Sequence, residues 1–393
     1  MTGKPGVLIV YSSFGDGHVQ AARAIRQSLL AQGVERIHML DLLAEAHPGL
    51  NAVSRFCYLK SAALAPKLYG YFYARSDRMR SDGPFNRMLQ GLGKRKLAEI
   101  VRSFRPDAVV HTFPYLAMAQ LNKDLGLSIP TFTVLTDYVL HARWVHPDTD
   151  RYFVANEALR QSLREKGIPD HRIAVSGIPI RDAFRRSLDR PSLLRSYGLR
   201  SDRSYALLAA GAYGVLKDVR AMIRTVLDDT DLDAIVVCGR NERLRAELEA
   251  QYSDQLRVLI LGYTDRMEEL MAVSSCLLTK AGGLTLTEAL SQALPVIVYR
   301  PLPGQEQGNA EALSAMGALY TANDLGELAG KLRLLAHPSN RERMQEAARA
   351  AYAGAAADRI VSDVLDTAAR YALMQQRVSL SADRKGVTVH GFR

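Results

Sequence analysis

Leu278-Thr279-Lys280-Ala281-Gly282-Gly283-Leu284-Thr285-Leu286-Thr287-Glu288-Ala289-Leu290 passes from a β-type run through a double glycine into a helix pattern. A strand, a tight turn and a helix start in that order are half of a parallel βαβ unit, which places the chain in the α/β class. Paired glycines let the backbone approach a ligand, and the unpaired N–H groups and dipole of a new helix form a site for an anion such as a diphosphate. Gly282, Gly283 and the hydroxyls of Thr285 and Thr287 are its candidate contacts. Glu288, one turn into the helix, would repel a phosphate and suits a pair of neutral hydroxyls, such as those of a ribose. The plain alternative is a tight turn followed by a solvated charge.

The next strand exit strengthens the ligand reading. Pro301-Leu302-Pro303-Gly304-Gln305-Glu306-Gln307-Gly308-Asn309 is a stiff loop carrying amides and a carboxylate without positive charge. Such groups read hydroxyls, so Gly304, Gln305, Glu306 and Asn309 are candidates to hold a sugar beside the diphosphate. Three further strand ends point to the same place: Gly211-Ala212-Tyr213-Gly214, Cys238-Gly239-Arg240-Asn241 and Gly262-Tyr263. The first can wrap a phosphate, Arg240 can neutralise one, and the backbone at Tyr263 can read a base edge. Each of the three reads equally well as a simple turn.

Around these motifs, β-type runs alternate with amphipathic stretches from end to end. Strands are expected at 7–11, 36–41, 108–112, 130–135, 151–155 and 172–175, and again at 205–210, 233–238, 256–261, 275–279 and 295–299. Each series can build its own doubly wound, Rossmann-like sheet, the two facing each other across a cleft lined by the carboxyl ends of the strands. The domains are therefore expected at 1–185 and 204–376, with a linker at 186–203 that contains Pro191. After Asn323 the pattern is helical, with the last helices packing back on the N-terminal domain. Residues 377–393 lack periodicity and are expected as a mobile tail.

In the first half, Val7–Tyr11 runs into Ser12-Ser13-Phe14-Gly15-Asp16-Gly17-His18. A dinucleotide fingerprint wants a third glycine where Gln20 stands, which argues against a nicotinamide site. His18 at a helix start is better placed as an imidazole beside a reacting hydroxyl, with Gly17 on the acceptor side. A histidine merely capping the turn is the structural alternative. The run Thr136-Asp137-Tyr138-Val139-Leu140-His141-Ala142-Arg143-Trp144 places the only tryptophan beside an acid and a histidine. Asp137 can accept a proton or orient His18, while His141 and Trp144 can line the acceptor side. Asp148-Thr149-Asp150 spells a metal-holding Asp-x-Asp, but so short a match arises by chance, and a helix-dipole phosphate site needs no metal. No metal or other cofactor is expected.

The 393 residues carry a formal charge of +10, and its distribution is uneven. From Arg55 to Arg105 there are twelve Lys or Arg against three acids, an excess of nine. Within this span Lys60, Lys67 and Arg75 are interleaved with Tyr69, Tyr71, Phe72 and Tyr73. Aromatics favour the membrane interface and cations reach anionic headgroups, so the segment reads as a membrane-surface patch in preference to a nucleic-acid site. Core aromatics with a solvated charged face are the third reading. No apolar run approaches the roughly 18 residues that span a bilayer, and no signal-peptide profile precedes the first strand, so a cytoplasmic, peripheral protein is expected. Cys57, Cys238 and Cys276 form no Cys-x-x-Cys pair and read as free thiols.

The ordered set Gly15-Asp16-Gly17-His18, Leu59-Lys60-Ser61, Pro66-Lys67-Leu68-Tyr69-Gly70, Thr136-Asp137-Tyr138, Gly177-Ile178-Pro179-Ile180-Arg181, Gly282–Glu288 and Pro303-Gly304-Gln305-Glu306 resembles the diacylglycerol glycosyltransferase family. That family contains monogalactosyldiacylglycerol synthases and processive diacylglycerol glucosyltransferases, and the resemblance covers about residues 6 to 320. It implies a GT-B fold and inverting transfer of glucose or galactose from UDP-glucose or UDP-galactose to diacylglycerol or a glycosyl-diacylglycerol. It also implies no essential metal, no nucleic acid, and attachment to an anionic membrane surface on the cytoplasmic face. It places uracil near Tyr263, diphosphate at Gly282, Gly283 and Thr285, ribose at Glu288, and donor sugar at Gln305, Glu306 and Asn309. His18 and Asp137 come to the acceptor hydroxyl, with His18 ranked first as base. Ala281 departs from the proline or serine common at that place, which alters only the turn. The alternatives are a UDP-N-acetylglucosamine transferase acting on a polyprenyl-linked precursor, a UDP-sugar 2-epimerase, and a UDP-sugar-sensing regulatory protein.

Overall fold

The computed structural model describes residues 4–13, 15–52, 66–77, 91, 93–114 and 117–383. Two six-stranded sheets, both wholly parallel, form the two halves. The first contains β1 (Val7–Tyr11), β2 (Ile37–Asp41), β3 (Ala108–His111), β4 (Thr131–Val134), β5 (Arg151–Val154) and β6 (Ile173–Val175), in the order β2-β1-β3-β4-β5-β6. The second contains β7 (Tyr205–Ala209), β8 (Asp233–Val237), β9 (Val258–Leu261), β10 (Cys276–Thr279), β11 (Val296–Tyr299) and β12 (Tyr320–Ala322), in the order β12-β11-β10-β7-β8-β9. The expected α/β class and all eleven expected strands are present. β12 is the addition: three residues at a sheet edge are too short to show a period.

Central strands such as β1, β3 and β7 are apolar runs buried on both faces, as a parallel sheet covered by helices on both sides requires. The strand order reverses between β1 and β3 in one sheet and between β10 and β7 in the other. Connections leave a reversal point in opposite directions, which opens a crevice at the carboxyl ends of those strands. The motif residues stand at these two crevices.

Between β6 and β7 the chain forms the helix Arg190–Ser196, with Pro191 in its first turn. A proline is tolerated there because the first helical N–H groups have no partner anyway. The helix Ala356–Asp383 returns to the first half, where Ile360, Val361 and Val364 join Val7, Ile9 and Ile25 in one core. It continues through Asp383, so the boundary expected at Gln376 is corrected. No proline or glycine interrupts the chain there before Gly386, and its alanines, leucines and glutamines favour helix. Cys238 and Cys276 are buried free thiols, both pushed up by burial, to about 11 and about 12.

Candidate active site

A cavity of about 340 Å³ lies between the carboxyl ends of the two sheets. One wall is made by the exits of β1, β3 and β4, and the other by the exits of β7, β8 and β10 and the start of the helix Gly283–Ser291.

His18 lies in the first turn of the helix Asp16–Ala31 and reaches the exits of two neighbouring strands. Its Nδ1 is 2.7 Å from the carbonyl oxygen of Thr112 and 3.1 Å from the hydroxyl of Thr136. A carbonyl only accepts, so Nδ1 carries the proton and Nε2 keeps its lone pair. The Thr112 hydroxyl donates back to the His18 carbonyl at 3.1 Å, closing the support. Burial pushes the imidazole below its ordinary value, opposed by the Asp137 charge and the Thr112 hydrogen bond. His18 is therefore a neutral, oriented imidazole on the cavity wall.

Asp137 also lines the cavity, but the hydrogen bonds that orient His18 come from Thr112 and Thr136. The Asp137 Oδ1 accepts from Gln305 Nε2 at 2.7 Å and from Asn309 Nδ2 at 3.0 Å, both in the other half. The expectation that Asp137 orients His18 is corrected: it acts on His18 through its charge and ties the two halves together.

The double glycine divides its work between the two halves. A β-carbon on Gly282 would meet nothing within 4 Å, whereas one on Gly283 would stand 2.3 Å from the Thr136 carbonyl oxygen. Gly282 thus opens the wall, and Gly283 lets the opposing half close against it. Thr285 and Glu288 reach the cavity from the same helix. Burial raises the Glu288 carboxyl to about 8, partly offset by the nearby Arg181 charge. At neutral pH this side chain carries a proton and can both donate to and accept from hydroxyls.

Gly17, Gly211, Tyr213, Tyr263 and Gln305 are the other sequence candidates on the wall. Several candidates are placed elsewhere. Thr287 is buried and bonds to the Gly283 carbonyl and the Tyr138 hydroxyl, both at 2.8 Å, because two residues along a helix from Thr285 is a different face. Gly214 closes its turn against Asn241 and Cys238, and Arg240 lies over the Tyr263 ring at 4.1 Å. Gly304, at φ 100°, packs under Tyr73, and Glu306 pairs with Lys280. Asn309 is fully buried, its amide spent on Asp137, Ala281 and the Tyr138 N–H. Trp144 is buried behind His18, with ring centroids 6.1 Å apart. His141 bonds Ser76 at 3.1 Å and anchors the helix Pro66–Asp77. Thr287, Gly304 and Asn309 meet partners across the seam, whereas Gly214, Arg240, Glu306, Trp144 and His141 are taken up within their own halves.

Of the surface candidates, Lys60 lies outside the described residues, as do the side chains of Lys67, Tyr69 and Phe72. Tyr71 and Arg75 are exposed one turn apart, while Tyr73 turns inward against His141 and Gly304. Asp148 and Asp150 sit before β5, at the strand end opposite the cavity, paired with Lys123 and Tyr371. Residues the sequence reading left unassigned also reach the wall: Asp16, Thr136, Arg181 and Lys280. All four stand inside the glycine-rich and strand-exit motifs of the sequence, which is the signal that marks them.

The family model described as monogalactosyldiacylglycerol (MGDG) synthase matches residues 18–180, from the catalytic-candidate histidine to the end of the first half. The processive diacylglycerol beta-glucosyltransferase of Bacillus mycoides (strain KBAB4) is 36% identical over 369 residues, covering 93% of this chain and 94% of that protein. The chain belongs to the diacylglycerol glycosyltransferase family. A Bacillus cereus (strain AH187) protein of the same description is 35% identical over the same shares. A second family model, UDP-N-acetylglucosamine 2-epimerase, matches residues 146–365, mostly the second half. Among solved structures, Acinetobacter baumannii MurG has a TM-score of 0.61 at 16% identity, covering 92% of this chain and all of that one. The Neisseria meningitidis UDP-GlcNAc 2-epimerase bound to UDP-GlcNAc has the same TM-score, identity and coverage. These likenesses establish the GT-B architecture; the diacylglycerol glycosyltransferase family rests on the relatives that share sequence over both halves.

Proposed function

We propose that this family member transfers glucose from UDP-glucose to diacylglycerol, and then to the glucosyl-diacylglycerol formed, at the cytoplasmic face of an anionic membrane. The observation that carries the reading is His18, fixed through Nδ1 by the Thr112 carbonyl, across one cavity from the helix start at Gly282 and Gly283.

Nε2 of His18 takes the proton of the acceptor hydroxyl as its oxygen attacks the anomeric carbon. The bond from that carbon to the β-phosphate oxygen breaks on the opposite side, so configuration inverts. UDP leaves with the electron pair toward the first turn of the helix Gly283–Ser291, whose N–H groups stabilise the developing charge without a metal. Glu288 holds the ribose, Tyr263 stands by the uracil and Gln305 contacts the sugar. In this reading the lipid enters beside the helix Pro66–Asp77, and its exposed Tyr71 and Arg75 meet the membrane surface. Among the described residues no helix is long and apolar enough to cross a membrane.

The deciding experiment incubates the protein with radiolabelled UDP-glucose, UDP-galactose or UDP-N-acetylglucosamine and diacylglycerol vesicles. Label from UDP-glucose should appear in mono- and then diglycosylated lipid. Label only from UDP-galactose overturns the choice of hexose. Conversion of UDP-N-acetylglucosamine without an acceptor overturns the transferase reading.

A further inference from the structure

The cavity presents a charge problem. Asp16, Asp137 and Asp265 stand on its wall against two cations, Arg181 and Lys280. A nucleoside diphosphate brings further negative charge, and a helix N-terminus supplies only about half an elementary charge. Arg181 is engaged by Glu268 at 2.8 Å and lies near Glu288, one turn beyond the helix start. Lys280 stands at the helix start itself.

Lys280 leaves β10 at the crevice where the sheet order reverses, beside the exit of β7. The Gly282 N–H donates to the Lys280 carbonyl at 3.0 Å, so one turn joins this lysine to the anion-binding backbone. Its aliphatic stem crosses Gly211, where a β-carbon would come within 3.2 Å of Cε. Its Nζ is 3.0 Å from Oε1 of Glu306, and Oε2 of Glu306 accepts the Leu302 N–H at 3.2 Å. The Glu306 side chain is 9% exposed and that of Lys280 31%. The carboxylate is thus the buried anchor, and the ammonium is the partner turned toward the cavity.

We propose that Lys280 is the counter-charge for the diphosphate of the donor and leaving group, and that Glu306 is the positioning residue that aims it. This rests on the UDP-sugar reading above. No proton changes hands at Lys280. The ammonium donates a hydrogen bond to a phosphate oxygen while the acceptor proton goes to His18 and the bonding electrons go to UDP. A compact ammonium held between two glycine exits does here what a divalent cation does in metal-dependent sites.

The test is calorimetric binding of UDP and of uridine to the wild type, Lys280→Met, Lys280→Arg, Glu306→Gln and the Lys280→Met/Glu306→Gln pair. Losing a charge-assisted hydrogen bond should weaken UDP by about tenfold to a hundredfold in Lys280→Met, with uridine unchanged. Lys280→Arg should recover part of the loss, and the salt dependence of UDP binding should flatten in Lys280→Met. Glu306→Gln should weaken UDP less and add nothing in the double variant. Equal weakening of UDP and uridine, or unchanged UDP affinity, overturns the assignment of Lys280. Additive losses overturn the role of Glu306. A Lys280→Met protein that fails to fold leaves Glu306→Gln and Lys280→Arg to decide through the same UDP-to-uridine ratio. Should the wild type itself not bind UDP, the nucleotide-sugar reading fails first, and the two failures are thereby distinguished.

Discussion

Gly283 and Thr136 touch across the seam between the two halves: a β-carbon on the glycine would stand 2.3 Å from the threonine carbonyl oxygen and 2.9 Å from Oδ1 of Asp137. The contact is with backbone on one side and a hydrogen-bonded carboxylate on the other, neither of which can swing away. The start of the helix Gly283–Ser291 therefore bears directly on the first half, beside the position proposed for the diphosphate. Gly283→Ala should hold the halves apart and lower kcat/KM by about a hundredfold or more, since a misplacement near 1 Å costs that much. Gly282→Ala, with open space around its β-carbon, should leave closure intact. Small-angle scattering in the presence of UDP separates the two: an expanded particle is expected for Gly283→Ala alone, and equal compactness in both variants counts against the bearing.

Asn309 supplies the second closure element. Its amide meets Asp137, Ala281 and the Tyr138 N–H at 3.0, 3.1 and 2.7 Å. Asn309→Ala leaves those groups unpaired in a buried seam, at a cost of about 1–3 kcal/mol each before relaxation. A clear drop in melting temperature is expected in the ligand-free protein. A raised KM for the donor with unchanged melting would return Asn309 to the sugar.

His18→Ala should lower turnover by about 10²–10⁴-fold, the usual contribution of a general base. UDP affinity should be unchanged, since the proposed role of the residue is toward the acceptor hydroxyl. Burial lowers the imidazole pKa, so the acid limb of the rate profile should fall below the ordinary histidine value of about 6.5. Wild-type turnover in His18→Ala removes the histidine from the chemistry.

Glu288 links pH to stability. Its carboxyl is raised from 4.5 to about 8 by burial, so between those values the folded protein holds a proton that the unfolded chain releases. Stability therefore falls as pH rises through this window, and the loss is complete above it. Glu288→Gln, which cannot ionise, should melt close to the wild type near pH 4.5 and increasingly above it toward about pH 8–9. Parallel melting curves across the range would show that the carboxyl is not held neutral. Glu288→Ala, which removes the hydroxyl partner altogether, should lose UDP-sugar binding, and Glu288→Gln should keep much of it.

The legible parts of the site are those that depend on short stretches of chain. The glycine turn at Gly282, the helix start at Thr285 and the histidine at the opening of the helix Asp16–Ala31 are local patterns, and each stands on the cavity wall. Lys280 and Arg181 lie within strand-exit motifs, but nothing local distinguishes a cation that faces a cavity from one that faces solvent. Tyr73 was read with its aromatic neighbours as surface, and it instead wedges between His141 and Gly304. A helix alternates its faces by 100° per residue, so composition describes the segment while the fold selects which aromatic turns inward.

The sequence by itself determined two parallel α/β halves, the crevice motifs at their strand ends and the family to which the chain belongs, because apolar period, turn chemistry and helix starts act between residues a few positions apart. Only the tertiary structure decided that Asp137 is held by Gln305 and Asn309, that Thr287 bonds Tyr138, and that Gly283 serves closure. Those partners are separated by about 150 residues or more of chain. A buried polar group takes whatever partner folding brings within 3 Å, and which one that is depends on how the two sheets meet.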